Sequence, residues 1–185
     1  MRSLRALPAL LLIGAAPVQR YVIDAGASDV SAKVAFFGLG SKTARFPRMS
    51  GGIEFSRDRP EQVDITVQLD ATALTASDSV TLARLKGPKF FDVARHPTIL
   101  FRGRKMRMTN DRDGQVSGEI TARGVTRPAT LAVHFITPPL RADDRERLML
   151  NGETVIDRRE FGMTAYPLIV GRKVRIRLRA ALVPG

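Results

Sequence analysis

Few side chains in this sequence are able to do chemistry, and their spacing argues against most reactions. There are two histidines, His96 and His134, and no cysteine. Without cysteine there are no disulfides, thiolate nucleophiles, iron–sulfur clusters or cysteine zinc sites. Two histidines leave no multi-histidine metal centre within one chain. His96 precedes Pro97, which biases it toward extended backbone at a strand entrance. There it could orient a ligand, or simply be an exposed or capping histidine. His134 shares parity with Thr130 and Ala132, opposite the apolar set of its segment, and should face outward. No nucleophile-elbow motif is present. Asp111-Arg112-Asp113-Gly114 begins like a calcium loop but lacks the third early ligand and the distal bidentate glutamate, so it reads as a turn. Gly38-Leu39-Gly40 has neither a P-loop lysine nor dinucleotide-binding spacing. An enzyme would have to be assembled from carboxylates and His96.

The cations are more numerous. The net charge is +12, carried by 24 Arg and 6 Lys. Such a surface attracts nucleic acid, anionic lipid or an acidic ligand, although an arginine-heavy, lysine-poor chain also reflects a GC-rich genome. Lys173, Arg175, Arg177 and Arg179 form a stripe on the polar face of the last alternating segment. That stripe reads either as a solvated exterior or as a contact for anionic headgroups at a membrane surface. RNA-binding sheets interleave aromatics with their cations. This face has none, so nucleic acid is not an expected partner.

The elements that must position these groups alternate with a period of two. Val30, Ala32, Val34 and Phe36 share one face, as do Val63, Ile65, Val67 and Leu69. Ala129, Leu131, Val133, Phe135 and Val174, Ile176, Leu178, Ala180 repeat the pattern, and Ile53–Phe55, Ile99–Phe101, Val116–Ile120 and Thr154–Ile156 fit it over shorter spans. One apolar and one polar side per strand is the mark of antiparallel sheets or barrels. Asn110 to Gly114 reads as a hairpin loop, Gly124 to Pro128 joins two further strands, and Gly51-Gly52 suggests a bend or bulge. Ser77 to Lys86 breaks the rhythm: Val80, Leu82 and Leu85 fit a short helix, capped by Ser77 or Asp78 and ended by Gly87-Pro88. About eight strands with one short helix predict an antiparallel barrel, because closure removes exposed edges. A barrel of this size can be filled by side chains or hold one small ligand.

At 185 residues, 44% of them hydrophobic, the chain suits one domain. Two arginines in Met1–Arg5, followed by the apolar run Ala6–Ala16, have the pattern of a secretory signal peptide, too short for a membrane span. We expect a leader over residues 1–16, cleaved between 14 and 20, a barrel domain over 17–185, and a periplasmic or secreted protein. Loss of Arg2 and Arg5 would take the charge from +12 to +10. Nine Phe and no Trp give a bulky interior without polar handles. An apolar-lined barrel with no inward catalytic constellation points to an apolar ligand.

Several ordered segments resemble the YceI family, the lipocalin-like polyisoprenoid-binding proteins of bacteria. They are Tyr21-Val22-Ile23-Asp24 with Ser28 and Val30, Leu85 to Val93 with Pro97, Ile99 and Phe101, Gly118 to Pro128, Arg158-Arg159-Glu160-Phe161-Gly162, and Val174-Arg175-Ile176. The chain departs from the family's pattern at Lys89, at Phe37-Gly38 and at Ala44-Arg45-Phe46, positions that bear on the mouth of the pocket. The resemblance implies a barrel enclosing a long isoprenoid, such as a quinone or prenyl lipid, with no cofactor and no catalysis. Each buried methylene contributes about 0.8 kcal/mol, so a tail of this kind binds tightly without charged contacts. The expected lining is Phe36, Phe55, Leu69, Leu82, Phe90, Phe91, Phe101, Phe135 and Phe161, with Arg158 structural or at the mouth beside His96. A homodimer remains open.

Overall fold

Each alternating segment folds as a strand that turns its apolar side chains inward. A computed structural model describes residues 18–38, 40–142 and 145–185. The expected leader lies outside them. In chain order the elements are β1 (Val18–Ile23), β2 (Asp29–Phe36), β3 (Gly40–Arg45), β4 (Met49–Ser56), β5 (Arg59–Asp70), β6 (Thr75–Ala76), helix α1 (Ser79–Lys86), β7 (Thr98–Met108), β8 (Asp113–Ala122), β9 (Val125–Phe135), β10 (Leu148–Asp157) and β11 (Val170–Pro184).

Every pairing is antiparallel and the sheet closes on itself. The result is a closed eight-stranded barrel with one short helix. Two of its staves are bent. β1 and β2 both pair with β11, through Leu182–Pro184 and through Val170–Arg179 respectively, and the chain turns between them at Ala25–Ala27. The turn is held by the Asp24 carboxylate, which accepts from the Gly26 N–H, and by the Ser28 hydroxyl, which donates to the Asp24 carbonyl. β3 and β4 follow the same bend, pairing with β2 and β1. The short β6 pairs only with the end of β3, so β5 passes over it to pair with β7; the remaining neighbours are consecutive in sequence, as expected of an up-and-down barrel.

Two glycine-containing segments behave differently from expectation. Gly51 and Gly52 lie inside the regular β4–β5 pairing, without a bulge. They are needed because neighbouring strands come close: a Cβ on Gly51 would stand 1.9 Å from the Thr66 carbonyl oxygen. The β8–β9 connection is the two-residue turn Arg123-Gly124, both at positive φ as a tight hairpin requires, and Val125–Pro128 is strand rather than loop.

The staves run between two ends. At one end Pro139, beyond β9, and Leu148, the first residue of β10, are fully buried against the first of the interior spaces. The other end carries the β2–β3 turn, α1, the Arg123-Gly124 turn and the β10–β11 connection. Asp78 caps α1, its carboxylate accepting from the Thr81 N–H at 2.7 Å, and Gly87 ends it. Leu82 and Leu85 pack down onto the barrel core, whereas Val80 faces solvent.

Candidate functional site

Two apolar cavities lie end to end inside the barrel. The first, about 50 Å³, is bounded by Tyr21, Phe55, Phe101, Met106, Phe135 and neighbouring aliphatic side chains. The second, about 100 Å³, is bounded by Ala32, Leu69, Phe90, Phe91, Ile99, Ile176 and others toward the helix end. Consecutive inward positions divide the two: Val67 and Leu69 on β5, Phe101 and Ile99 on β7, Leu178 and Ile176 on β11. At this level Val67, Ile99, Phe101, Leu131, Ile176 and Leu178 point inward yet are only partly covered. In a close-packed core, inward side chains in mid-barrel would be the most buried of all. Their residual accessibility marks a barrel that its own side chains do not fill.

Beyond the second cavity lies a vestibule of about 330 Å³ between the β2–β3 hairpin, α1 and the segment around Tyr166. Val34, Lys42, Leu85, Phe90 and Val170 line both spaces and so form the partition between them. Phe90 is its aromatic member. It is buried, stacks on Tyr166 at 6.2 Å, and lies beneath the Arg158 guanidinium at 5.9 Å. Across the opening, the Lys42 ammonium donates to the Asp78 carboxylate at 2.8 Å, joining β3 to the start of α1. This hydrogen bond, followed by those from the Thr81 backbone and hydroxyl, holds the Asp78 carboxyl well below the usual carboxylate range.

Arg158 is 2% exposed, in the wall of the helix-end cavity. Its guanidinium donates to the carbonyls of Gly171 and Val170, each at 2.8 Å, and to that of Met163. These bonds turn its charged face toward the backbone and leave its carbon atoms toward the cavity. Burial pulls its pKa below the ordinary guanidinium value, opposed by the nearby Asp157 carboxylate. Arg158 is therefore a clamp on the β10–β11 connection. Arg123 does the same from the β8–β9 turn, donating to the carbonyls of Gly162 and Pro88.

Residues 21–182 match the YceI-like domain. The chain belongs to the YceI family. Similar curated proteins include a UPF0312 protein of Azotobacter vinelandii, 26% identical over 84% of this chain and 82% of that protein, and one of Pseudomonas savastanoi pv. phaseolicola, 27% identical over 88% and 87%. Among solved structures, the chain superimposes on Burkholderia cenocepacia BcnA with a TM-score of 0.75 and 19% identity, covering 86% of this chain and 98% of that one. A polyisoprenoid binding domain from Saccharophagus degradans gives a TM-score of 0.67 at 17% identity, covering 89% and 98%. At these identities the structures establish the fold.

Within this YceI barrel, the residues singled out in the sequence fall into three groups. Phe55, Phe101 and Phe135 line the first cavity, and Leu69, Phe90 and Phe91 the second. Phe36 lines the vestibule, edge-on to Phe37, rather than the interior. Leu82 and Phe161 line neither cavity: Leu82 packs under α1, and Phe161, 1% exposed, anchors a separate cluster with Ile120, Ala122 and Met163. Phe161 sits in a 3-10 turn, where strand parity does not apply. His96 lies against the Gly124 turn, away from both cavities and the vestibule, and His134 is outward, 2.7 Å from Asp113. The stripe Lys173, Arg175, Arg177 and Arg179 lies on the outer wall, where Glu153 pairs with Arg175 and Arg177. The expected lining leaves out Tyr21, Met106, Leu131 and Lys42: Tyr21 and Leu131 share the inward parity of Ile23 and Val133, whereas a register shift between Gly103 and Lys105 puts Met106 out of step with Ile99 and Phe101.

Proposed function

We propose that this YceI-family protein is a carrier that holds an isoprenoid or quinone-type lipid with its tail inside the barrel, shielding it in transit through the bacterial envelope. One observation carries the reading: mid-barrel side chains that point inward but are only partly covered, around two apolar cavities that lead to a vestibule. The fold shared with a polyisoprenoid binding domain supports it. So does the interior chemistry, since among the described residues no carboxylate, histidine or hydroxyl pair converges on either cavity to do acid–base or nucleophilic work. The pattern of residues 1–16 supports export. Binding would need no cofactor.

The two cavities are small beside an ordinary ligand site of roughly 300–1,000 Å³. A long tail must therefore spread the loosely packed middle layer and continue into the vestibule. Met106 and Met163, at the walls of the two cavities, suit that role, because unbranched thioether side chains re-pack readily.

The test is mass spectrometry of an organic extract from protein purified out of an envelope fraction without detergent. A stoichiometric isoprenoid is the expected result. Folded protein that is free of lipid, and that takes none up from isoprenoid-loaded vesicles, would overturn the carrier reading.

A further inference from the structure

Three of the most exposed apolar side chains stand around the vestibule. Leu168 is 96% exposed, Phe37 61% and Val80 59%. They come from three separate segments: the β10–β11 connection, the β2–β3 turn and the first turn of α1. Phe37 and Val80 both line the vestibule, and the Phe37 N–H donates to the carbonyl of Ile169, next to Leu168, at 2.8 Å. The three tips are thus gathered at one opening.

The charge beneath them is positive. Arg84 and Lys89 lie over the Tyr166 ring at 5.5 and 5.4 Å, and among the described residues neither pairs with a carboxylate. The acid of the vestibule, Asp78, is already neutralised by Lys42. Apolar tips projecting past a belt of cations have the chemistry of an interfacial anchor: the tips enter the boundary between headgroups and acyl chains while the cations meet anionic headgroups. A deformable partner suits tips on three independent segments, because each can sink in without a matching pocket.

We infer that the mouth of the barrel docks on the surface of an anionic phospholipid bilayer through Phe37, Val80 and Leu168, with Arg84 and Lys89 facing the headgroups. This pose puts the contact at the mouth rather than at the outer-wall stripe, where Arg175 and Arg177 share the Glu153 carboxylate. Docking in this pose sets the vestibule against the membrane. It builds on the carrier reading only in saying where cargo would enter.

Vesicle flotation tests this with the protein lacking residues 1–16, on phosphatidylcholine alone and on phosphatidylcholine mixed with an equal part of phosphatidylglycerol. The protein should float with the mixed vesicles and lose binding as salt is raised. Phe37→Asn with Leu168→Ser should abolish flotation; both side chains are exposed, and asparagine tolerates the positive φ of residue 37. Arg84→Gln with Lys89→Gln should weaken it by about fivefold per charge, and Arg175→Gln with Arg177→Gln should leave it unchanged. Flotation that survives the tip substitutions, or that is lost with the stripe, overturns the inference. So does a tip variant that changes only the protein's oligomeric size, which would assign the tips to a second copy. Isoprenoid in the extract of a protein that does not float defeats docking alone; a floating protein that takes up no lipid defeats the carrier reading alone.

Discussion

The Lys42 ammonium and the Asp78 carboxylate, 36 positions apart in sequence, meet at 2.8 Å across the mouth of the barrel. Asp78 is also the N-cap of α1, so one carboxylate both starts the helix and fastens it to β3. Cap and clasp draw on the ionised form, which is why the Asp78 carboxyl lies far below its ordinary value of 3.8. A lowered folded-state pKa gives stability that is complete above the unfolded value and is lost progressively below it, as pH falls through the folded-state value. Asp78→Asn should therefore lower Tm at neutral pH, and the gap from wild type should stay constant down to about pH 5 and narrow progressively as pH falls below 3.8. Asp70, Asp113 and Asp157 are shifted the same way and will make the parent protein acid-sensitive as well. The difference between the two pH profiles isolates Asp78, and a gap that widened in acid would contradict the clasp.

Arg158 offers a sharper stability test. Its guanidinium meets three backbone carbonyls spread over residues 163–171. A lysine presents one point charge on a flexible stem and cannot reproduce that fork. Arg158→Lys should cost about 1–3 kcal/mol for each buried carbonyl left without a donor. Urea unfolding reads this directly. A loss of under about 1 kcal/mol would mean that water satisfies the carbonyls and that the clamp is dispensable.

The walls of this barrel were legible in the sequence because a wall with one wet and one dry side writes its own alternation, as Val63, Ile65, Val67 and Leu69 do. What happens at its ends was not. Val80 carries the same apolar signature as Leu82 and Leu85, but only the latter two find the barrel beneath them. In β1 the inward set is Gln19, Tyr21 and Ile23, while Val22 faces out at 49% exposure, so hydropathy alone misleads about that face. Arg158 reads as a cation in a charged run, and its partners are carbonyls, which no side-chain pattern reveals. Phe161 is buried not at a cavity wall but by packing between elements far apart in sequence, against Ile120 and Ala122. In each case the deciding neighbour is non-local.

Filling the interior should displace cargo without harming the fold. Ala32 lines the helix-end cavity and is only partly buried. Ala32→Phe places a ring where the tail would lie; the expected result is a protein that melts within a few degrees of wild type and retains little lipid. Phe91→Asp, which turns a carboxylate toward the same cavity, should abolish retention altogether, because burying an unpaired charge is costly. Full lipid occupancy in a folded Ala32→Phe protein would place the cargo elsewhere.

Phe90 separates these interior effects from those of the entrance. It belongs to the partition between the helix-end cavity and the vestibule, and its ring is held between Tyr166 and Arg158. Phe90→Ala should cost about 3–5 kcal/mol as a large-to-small change at a buried site and, in the protein that remains folded, speed the exchange of a fluorescent apolar probe. Phe90→Leu keeps most of the volume and should restore stability and slow exchange together. If the partition controls access, exchange follows side-chain size at position 90 more steeply than affinity does, because Phe90 is only one of many residues lining the helix-end cavity. An exchange rate identical in the three proteins would mean that the tail enters between strands rather than past Phe90.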